Sequence, residues 1–208
     1  MIIQLVKVGI SVLLSVLAII LYKKFSGTER RWCMLGMILS TCGDVFMTDV
    51  LGVGPSSTYF GAAFFIMAHI VYGLCFLRAS KRNGYREYNN GFKAGLVLVL
   101  FTVLLLTGLM LLRTGQVQGM YVPLLGYLLF IGFDTVCQFS YASSKKGKCR
   151  FLIPAMTLFL FSDFLVFLPM LNICSESAAY NILIWLLYIP AQLLIVLFNS
   201  EKMQDNNG

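Results

Sequence analysis

Charged residues are scarce in this sequence. Of its 208 residues only 12% are charged, whereas 59% are hydrophobic, and the mean hydropathy is +0.82. A soluble domain is typically about one-quarter charged and about half apolar. The apolar residues here also lie in long blocks. The composition therefore argues against an ordinary soluble domain and predicts an all-α, polytopic transmembrane helical bundle, a single domain over residues 1–208.

Histidine and the common catalytic motifs are also lacking. His69 is the only histidine, which excludes a zinc site built from three histidines. The sequence contains no Cys-x-x-Cys pair, no Gly-x-Ser-x-Gly elbow and no phosphate-binding Gly-Lys-Ser/Thr loop. We therefore expect neither a metal nor a cofactor.

Seven apolar runs are each long enough to cross a bilayer, at ~17–25 residues per helical span. The first is expected to stay as a helix, because no small-residue cleavage site of a signal peptide follows it. Lys7 within it is expected to snorkel to the outer interface. The polar tail, residues 199–208, is expected to fray. The runs are Ile2–Tyr22, Trp32–Thr48, Thr58–Leu77, Phe92–Leu112, Met120–Tyr141, Phe151–Leu171 and Ala178–Phe198.

The net charge of +7 follows the positive-inside rule and does not indicate nucleic acid. Lysine and arginine lie in the first, third and fifth loops, whereas the second, fourth and sixth loops hold only Arg113. This asymmetry predicts an N-terminus outside or in a lumen and a cytoplasmic C-terminus. A bacterial plasma membrane and an endoplasmic reticulum fit equally well. The basic loop residues are Lys23, Lys24, Arg30, Arg31, Arg78, Lys81, Arg82, Arg86, Lys93, Lys145, Lys146, Lys148 and Arg150.

Two aspartates interrupt apolar runs, Asp44 in the second and Asp163 in the sixth. A charge at that depth is costly and marks a functional candidate. Each aspartate lies thirteen positions after an arginine, Arg31 or Arg150. At ~1.5 Å per residue, both are expected ~20 Å from the cytoplasmic end, in the outer half of the membrane. Equal depth allows a shared site, and we expect their two helices to be neighbours if that site exists.

Other helices also carry polar side chains. His69 and Tyr72 are spaced i, i+3, and Tyr188 and Gln192 are spaced i, i+4, so each pair shares a helix face. Such stripes are what a cavity lined by a helical bundle requires. Each residue also has a packing interpretation, as a satisfied core histidine or an interhelical hydrogen bond. Asp134 in the fifth run ranks below the other two aspartates.

Four segments resemble the YhhN-like integral membrane proteins, a family that includes the lysoplasmalogenases. They match, in family order, its Gly-Asp, Gly-x-x-x-Phe-x-x-x-His-x-x-Tyr, Ser-Asp and Ala-Gln signatures. Members are often described with eight spans, so seven are expected here with eight as the alternative. The segments are Cys42-Gly43-Asp44, Gly61–Tyr72, Phe159–Asp163 and Tyr188–Ile195.

The resemblance implies hydrolysis of the vinyl ether bond of lysoplasmalogens to a fatty aldehyde and a glycerophospho-alcohol. A vinyl ether is stable to base and labile to acid, so a protonated acid must lie beside its β-carbon. A low-dielectric site and a second carboxylate both favour a protonated carboxyl group, and glycosidases pair carboxylates in this way. We therefore expect Asp44 and Asp163 to divide the roles of acid and base. Supporting or substrate-lining roles are expected for Gly43, His69, Tyr72, Ser162, Tyr188 and Gln192.

A small proton-coupled transporter or a lipid-binding membrane protein is the alternative, because buried carboxylates also serve proton relays. The hydrolase requires Asp44 and Asp163 within reach of each other in a closed, apolar-walled pocket. The carrier requires a path to both membrane faces. The expected partners are a lysophospholipid substrate and membrane lipids, and not nucleic acid.

Overall fold

The computed structural model describes residues 2–25, 27–82, 88–112, 121–144, 149–175 and 177–198. Seven α-helices and one short 3-10 turn, Gly54–Ser56, make up their regular structure. Each helix coincides with one apolar run, so the predicted all-α bundle is confirmed. The tail, Arg113 and the loop residues Arg86, Lys145, Lys146 and Lys148 lie outside the described residues. The helices are α1 Ile2–Phe25, α2 Thr28–Met47, α3 Ser57–Arg82, α4 Asn90–Leu112, α5 Tyr121–Ser144, α6 Leu152–Met170 and α7 Ala178–Leu197.

Several helices extend beyond their apolar runs at the end where the basic residues lie. α1 carries Lys23 and Lys24 in its last turn, and α3 carries Lys81 and Arg82. Positive side chains at a helix C-terminus interact favourably with the helix dipole, so these turns remain helical outside the hydrocarbon. The Arg82 guanidinium also donates to the Glu29 carboxylate at 3.1 Å, which joins the end of α3 to the start of α2.

Helix α2 is more polar than the others. The other six helices are long and apolar enough to cross a membrane. α2 instead carries Glu29, Arg30 and Arg31 near its start and Asp44 near its end. It packs against α1, α3 and α7, which shield its polar face from lipid. The chain is thus an integral, multi-pass membrane protein, and its orientation remains a prediction from the loop charges.

Six helices form a ring. Neighbouring pairs run α1–α2–α3–α5–α6–α7, and the ring closes where α7 packs against α1 and α2. Helix α4 lies outside the ring and packs against α5. Helices α2 and α6 are not a closely packed pair. The expectation that these two helices must be neighbours is therefore wrong, because the ring separates them and they face each other across its interior.

Glycines let neighbouring helices approach closely. A Cβ atom on Gly36 of α2 would lie 2.4 Å from the Tyr72 ring of α3. A Cβ on Gly91 of α4 would lie 2.1 Å from the Phe139 carbonyl oxygen of α5. Membrane helices associate through van der Waals packing, and small residues allow it. These contacts fix which faces of α2 and α5 turn toward the ring interior.

Candidate functional site

A cavity of about 610 Å³ occupies the ring interior near one end of the bundle. It is surrounded by the ends of α2 and α6 and by the starts of α1, α3, α5 and α7, which is the end away from the basic loops. Asp44 and Asp163 both line this cavity, as do Tyr127, Ser162 and Tyr188. Most of the remaining lining side chains are apolar. The ring thus brings the two aspartates to one cavity although their helices do not pack together.

Asp44 is held by donors from two other helices. The Ser11 hydroxyl of α1 donates to Asp44 Oδ2 at 2.6 Å, and the Tyr188 hydroxyl of α7 donates to the same oxygen at 2.8 Å. The Gln192 amide, one turn along α7, donates to the Tyr188 oxygen at 3.0 Å. Asp44 is only 4% exposed. Its carboxylate is therefore fixed in position, with both of these donors on Oδ2.

Asp163 is held by α5. The Tyr127 hydroxyl donates to Asp163 Oδ2 at 2.7 Å. The Ser162 hydroxyl lies 3.5 Å from the other oxygen, Oδ1, and donates to the Phe159 carbonyl oxygen at 2.7 Å. The Asp163 side chain is 14% exposed, more than that of Asp44. Asp163 is thus the more accessible of the two carboxylates from the cavity.

A buried histidine lies behind Asp163. His69 Nδ1 lies 2.9 Å from Asp134 Oδ2, and the two side chains are 1% and 0% exposed. The Gln138 amide donates to the second Asp134 oxygen at 2.9 Å. His69 Nε2 lies 3.5 Å from the Tyr127 hydroxyl and 4.0 Å from Asp163 Oδ2. An imidazole that donates from Nδ1 to Asp134 therefore presents Nε2 to Asp163. The three side chains form a row in which the imidazole lies between two carboxylates.

Phe159 forms the wall behind both clusters. Its ring centroid lies 5.0 Å from that of His69 and 5.3 Å from that of Tyr188, and both contacts are edge-on or nearly so. Phe159 is fully buried. This apolar wall limits the water around the polar groups, which strengthens the electrostatic interactions among them.

Four residues that the sequence placed in the site do not line the cavity: His69, which lies behind Asp163, and Tyr72, Gly43 and Gln192. Tyr72 packs on α2, where Gly36 leaves room for its ring, and its hydroxyl lies 3.8 Å from Met37 Sδ. Tyr72 and His69 therefore do not act together on an aspartate, despite their shared spacing. Gly43 is tight against Phe65 of α3, since an added Cβ would lie 2.9 Å from that ring. Gln192 lies behind Tyr188, which it supports.

Four residues of the site were missed or ranked low from sequence. Asp134 ranked low but holds His69, and Tyr127 was given no role although it donates to Asp163. Ser11 was not singled out, nor was the place of Lys7 in the cavity lining, where its Nζ lies 4.9 Å from the centroid of the Trp185 ring. One signal for the last two was present, because Lys7, Ser11 and Ser15 follow one another at i, i+4 and mark a polar stripe on α1.

The described residues contain no group of three or more His, Cys, Asp or Glu side chains placed to hold a metal ion. The chain was also compared with known proteins. The model of the YhhN family matches residues 3–199, nearly the whole chain. The chain belongs to the YhhN family. Searches of curated proteins and of solved structures give no significant match to this YhhN protein.

Proposed function

We propose that this YhhN protein hydrolyses the vinyl ether bond of lysoplasmalogens, releasing a fatty aldehyde and a glycerophospho-alcohol. The family is known as lysoplasmalogenase-like, and membership covers nearly the whole chain. The observation that carries the proposal is that Asp44 and Asp163 line one cavity with an apolar wall. Cleavage of a vinyl ether needs an acid that protonates the β-carbon and a base that takes a proton from water. Two carboxyl groups, one protonated and one ionised, can supply both.

We assign the acid to Asp163. It is the more exposed carboxyl group, and His69 Nε2 and the Tyr127 hydroxyl lie beside it. These groups orient the Asp163 carboxyl group, whose proton is restored in the last step of the reaction. Protonated Asp163 transfers its proton to the β-carbon of the vinyl ether, the carbon–carbon double bond becomes single, and an oxocarbenium ion forms. Asp163 is left as a carboxylate beside the cation and stabilises it.

We assign the base to Asp44. The hydroxyls of Ser11 and Tyr188 hold its carboxylate, and their hydrogen bonds help to stabilise the negative charge. Water adds to the oxocarbenium carbon and gives one proton to Asp44, which yields a hemiacetal. Asp44 then returns this proton to the glycerol oxygen as the carbon–oxygen bond breaks. The hemiacetal hydroxyl gives its proton to Asp163, so the aldehyde leaves and both residues regain their starting forms.

The cavity has the size of a small-molecule site, since its 610 Å³ lies within the ~300–1,000 Å³ typical of such pockets. It therefore suits a lipid with one chain better than one with two. The substrate would be a lysophospholipid drawn from the surrounding membrane, and the reaction uses water as the only other reactant. The packing between α1 and α7 and between α5 and α6 is the loosest in the ring, and gives a chain its easiest lateral paths.

The arrangement of the cavity favours a hydrolase over the alternative, a small transporter. A transporter would need access from both faces, whereas the cavity lining comes from the helix ends on one side. The row of side chains Asp134–His69–Asp163 resembles a proton relay. It ends at the cavity, however, and can equally well support Asp163 as the acid of a hydrolase.

Aldehyde release from purified, folded protein tests the proposal. We expect Asp44→Asn and Asp163→Asn each to lower kcat by ~10²–10⁴-fold, the usual contribution of a general acid or base. Asp49→Asn is the matched control, because Asp49 is exposed in the loop after α2 and lies outside the cavity lining. Full activity of either cavity variant would refute the pairing.

A substrate panel tests the chemistry itself. The panel contains a lysoplasmalogen, a diradyl plasmalogen and a saturated alkyl-ether lysolipid. We expect cleavage of the first, weak or no cleavage of the second and none of the third. Cleavage of the saturated ether would contradict proton transfer to carbon, because that lipid has no vinyl carbon.

A further inference from the structure

Lys7 brings a positive charge to the cavity that the proposed reaction does not use. A lysine inside a membrane-spanning helix is costly, and its position usually serves a function. The Lys7 side chain is half-buried and lines the same cavity as Asp44 and Asp163. Its Nζ lies 4.9 Å from the centroid of the Trp185 ring, a distance typical of a cation–π contact. The ammonium group is thus held at the cavity wall.

Residue spacing on α1 and on α7 places Lys7 and Trp185 at about the same distance from Asp44. Ser11 lies four residues after Lys7 on α1, and Tyr188 lies three residues after Trp185 on α7. Ser11 and Tyr188 both donate to Asp44. Residues at these spacings share a helix face and lie about one turn apart, ~5.4 Å along the axis. Lys7 and Trp185 therefore lie about one turn from the Asp44 level, toward the starts of their helices.

The geometry points to Lys7 as the binding group for the phosphate of a single-chain phospholipid, with Trp185 orienting its ammonium. This inference rests on the proposed function, since it takes the vinyl ether to lie between Asp44 and Asp163. In such a lipid the glycerol backbone separates the ether oxygen from the phosphate, a span comparable with one helical turn of ~5.4 Å. A substrate with its ether at the aspartates thus carries its phosphate to the level of Lys7, where a charge-assisted hydrogen bond can form.

A different role for Lys7 would have a different signature. Lys7 could serve only as a counter-charge for Asp44. In that case its removal would affect all ligands of the cavity alike, with or without a phosphate. A phosphate subsite affects only ligands that carry the phosphate. Ligands that differ in this one group therefore separate the two roles.

Binding of two uncleavable lipids to the full chain in nanodiscs provides the test. One is a saturated 1-alkyl-lysophosphoethanolamine, and the other is the matching 1-alkylglycerol without phosphate. We expect the intact protein to bind the phospholipid at least ~10-fold more tightly, and Lys7→Met to lose ~10-fold or more for the phospholipid only. Lys7→Arg should keep most of the affinity. Lys23→Met is the matched control, because Lys23 lies exposed at the other end of α1.

The outcomes separate the subsite from the proposed function. Equal binding of both lipids by the intact protein, or equal losses for both in Lys7→Met, would overturn the subsite. Glycerol phosphate without a chain should compete only weakly, and strong competition would show a site for free phosphate instead of a lipid. Thermal unfolding of Lys7→Met verifies that it is folded. None of these measurements needs catalysis, whereas failure of aldehyde release would count against the proposed function alone.

Discussion

Replacing Asp134 with asparagine removes the charge that orients His69 and keeps the shape of the side chain. In the intact protein Asp134 Oδ2 lies 2.9 Å from His69 Nδ1, and Gln138 holds the other oxygen. An asparagine can present its amide group to Nδ1, which favours the wrong tautomer of the imidazole. His69 would then no longer present the same nitrogen to Asp163. We expect Asp134→Asn to slow the proposed reaction without changing the fold.

The magnitude follows from the burial of the pair. The two side chains are 1% and 0% exposed, so water does not screen their interaction. A hydrogen bond to a charged group contributes ~1.5–3 kcal/mol. If this interaction acts in the transition state, kcat should fall by ~10–150-fold. Gln138→Met leaves the Asp134 charge and its contact with His69 Nδ1 in place, so kcat should fall less than in Asp134→Asn.

Single-turnover aldehyde release and a double-mutant cycle provide the assay. Asp134 acts through His69 and does not line the cavity, so we expect kcat to fall while KM stays nearly constant. Adding Asp134→Asn to His69→Gln should cause little further loss, because the two residues act as a unit. Thermal unfolding of each variant controls for the fold.

Two results would refute this reasoning. The first is wild-type kcat in a folded Asp134→Asn variant while His69→Gln is impaired. The second is a double variant whose loss equals the product of the two single losses, which would mean that Asp134 and His69 act independently. Either result would assign Asp134 to packing and leave Asp163 without a histidine partner of defined tautomer.

Two further predictions use matched pairs of residues. Gly91→Ala should lower the free energy of unfolding by ~1–3 kcal/mol, because the new Cβ would lie 2.1 Å from the Phe139 carbonyl oxygen. The control is Gly108→Ala, whose Cβ would have nothing within 4 Å, and which should be neutral or stabilising. Thermal unfolding in detergent measures both, and equal effects would contradict the close approach of α4 and α5. Tyr188→Phe should lower kcat for aldehyde release by ~10-fold or more through loss of the bond to Asp44. Tyr72→Phe loses only contacts with α2, to Met37 and Ser40, and should cost less than ~5-fold. The same loss in both variants would count against the cavity as the reaction site.

The helices and the two cavity aspartates could be predicted from the sequence because their signals are local. A long apolar run specifies a span by itself, and a carboxylate inside such a run stands out whatever its neighbours are. Asp44 and Asp163 were found in this way. The polar helix α2 was also found, although its composition alone does not mark it as a span, because its apolar run still has sufficient length.

The contacts between helices could not be predicted in the same way. Periodicity places His69 and Tyr72 on one face, but it does not say which helix that face meets. Tyr72 turns to α2 because Gly36 leaves a gap there, and His69 turns to Asp134 of α5. Ser11 gave a weak signal, because serine often occurs in membrane helices without a catalytic role.

The position of α4 outside the ring has a consequence for the register of the site. Since α4 returns the chain across the membrane, α3 and α5 run in the same direction and lie side by side. His69 lies twelve residues after the start of α3 and Asp134 thirteen after the start of α5, so nearly equal counts from the same side bring them to the same level. One residue inserted in α5 before Asp134 would turn its carboxylate by ~100° away from His69. The length of α4, by contrast, does not enter this count, so α4 can vary without moving the imidazole from its carboxylate.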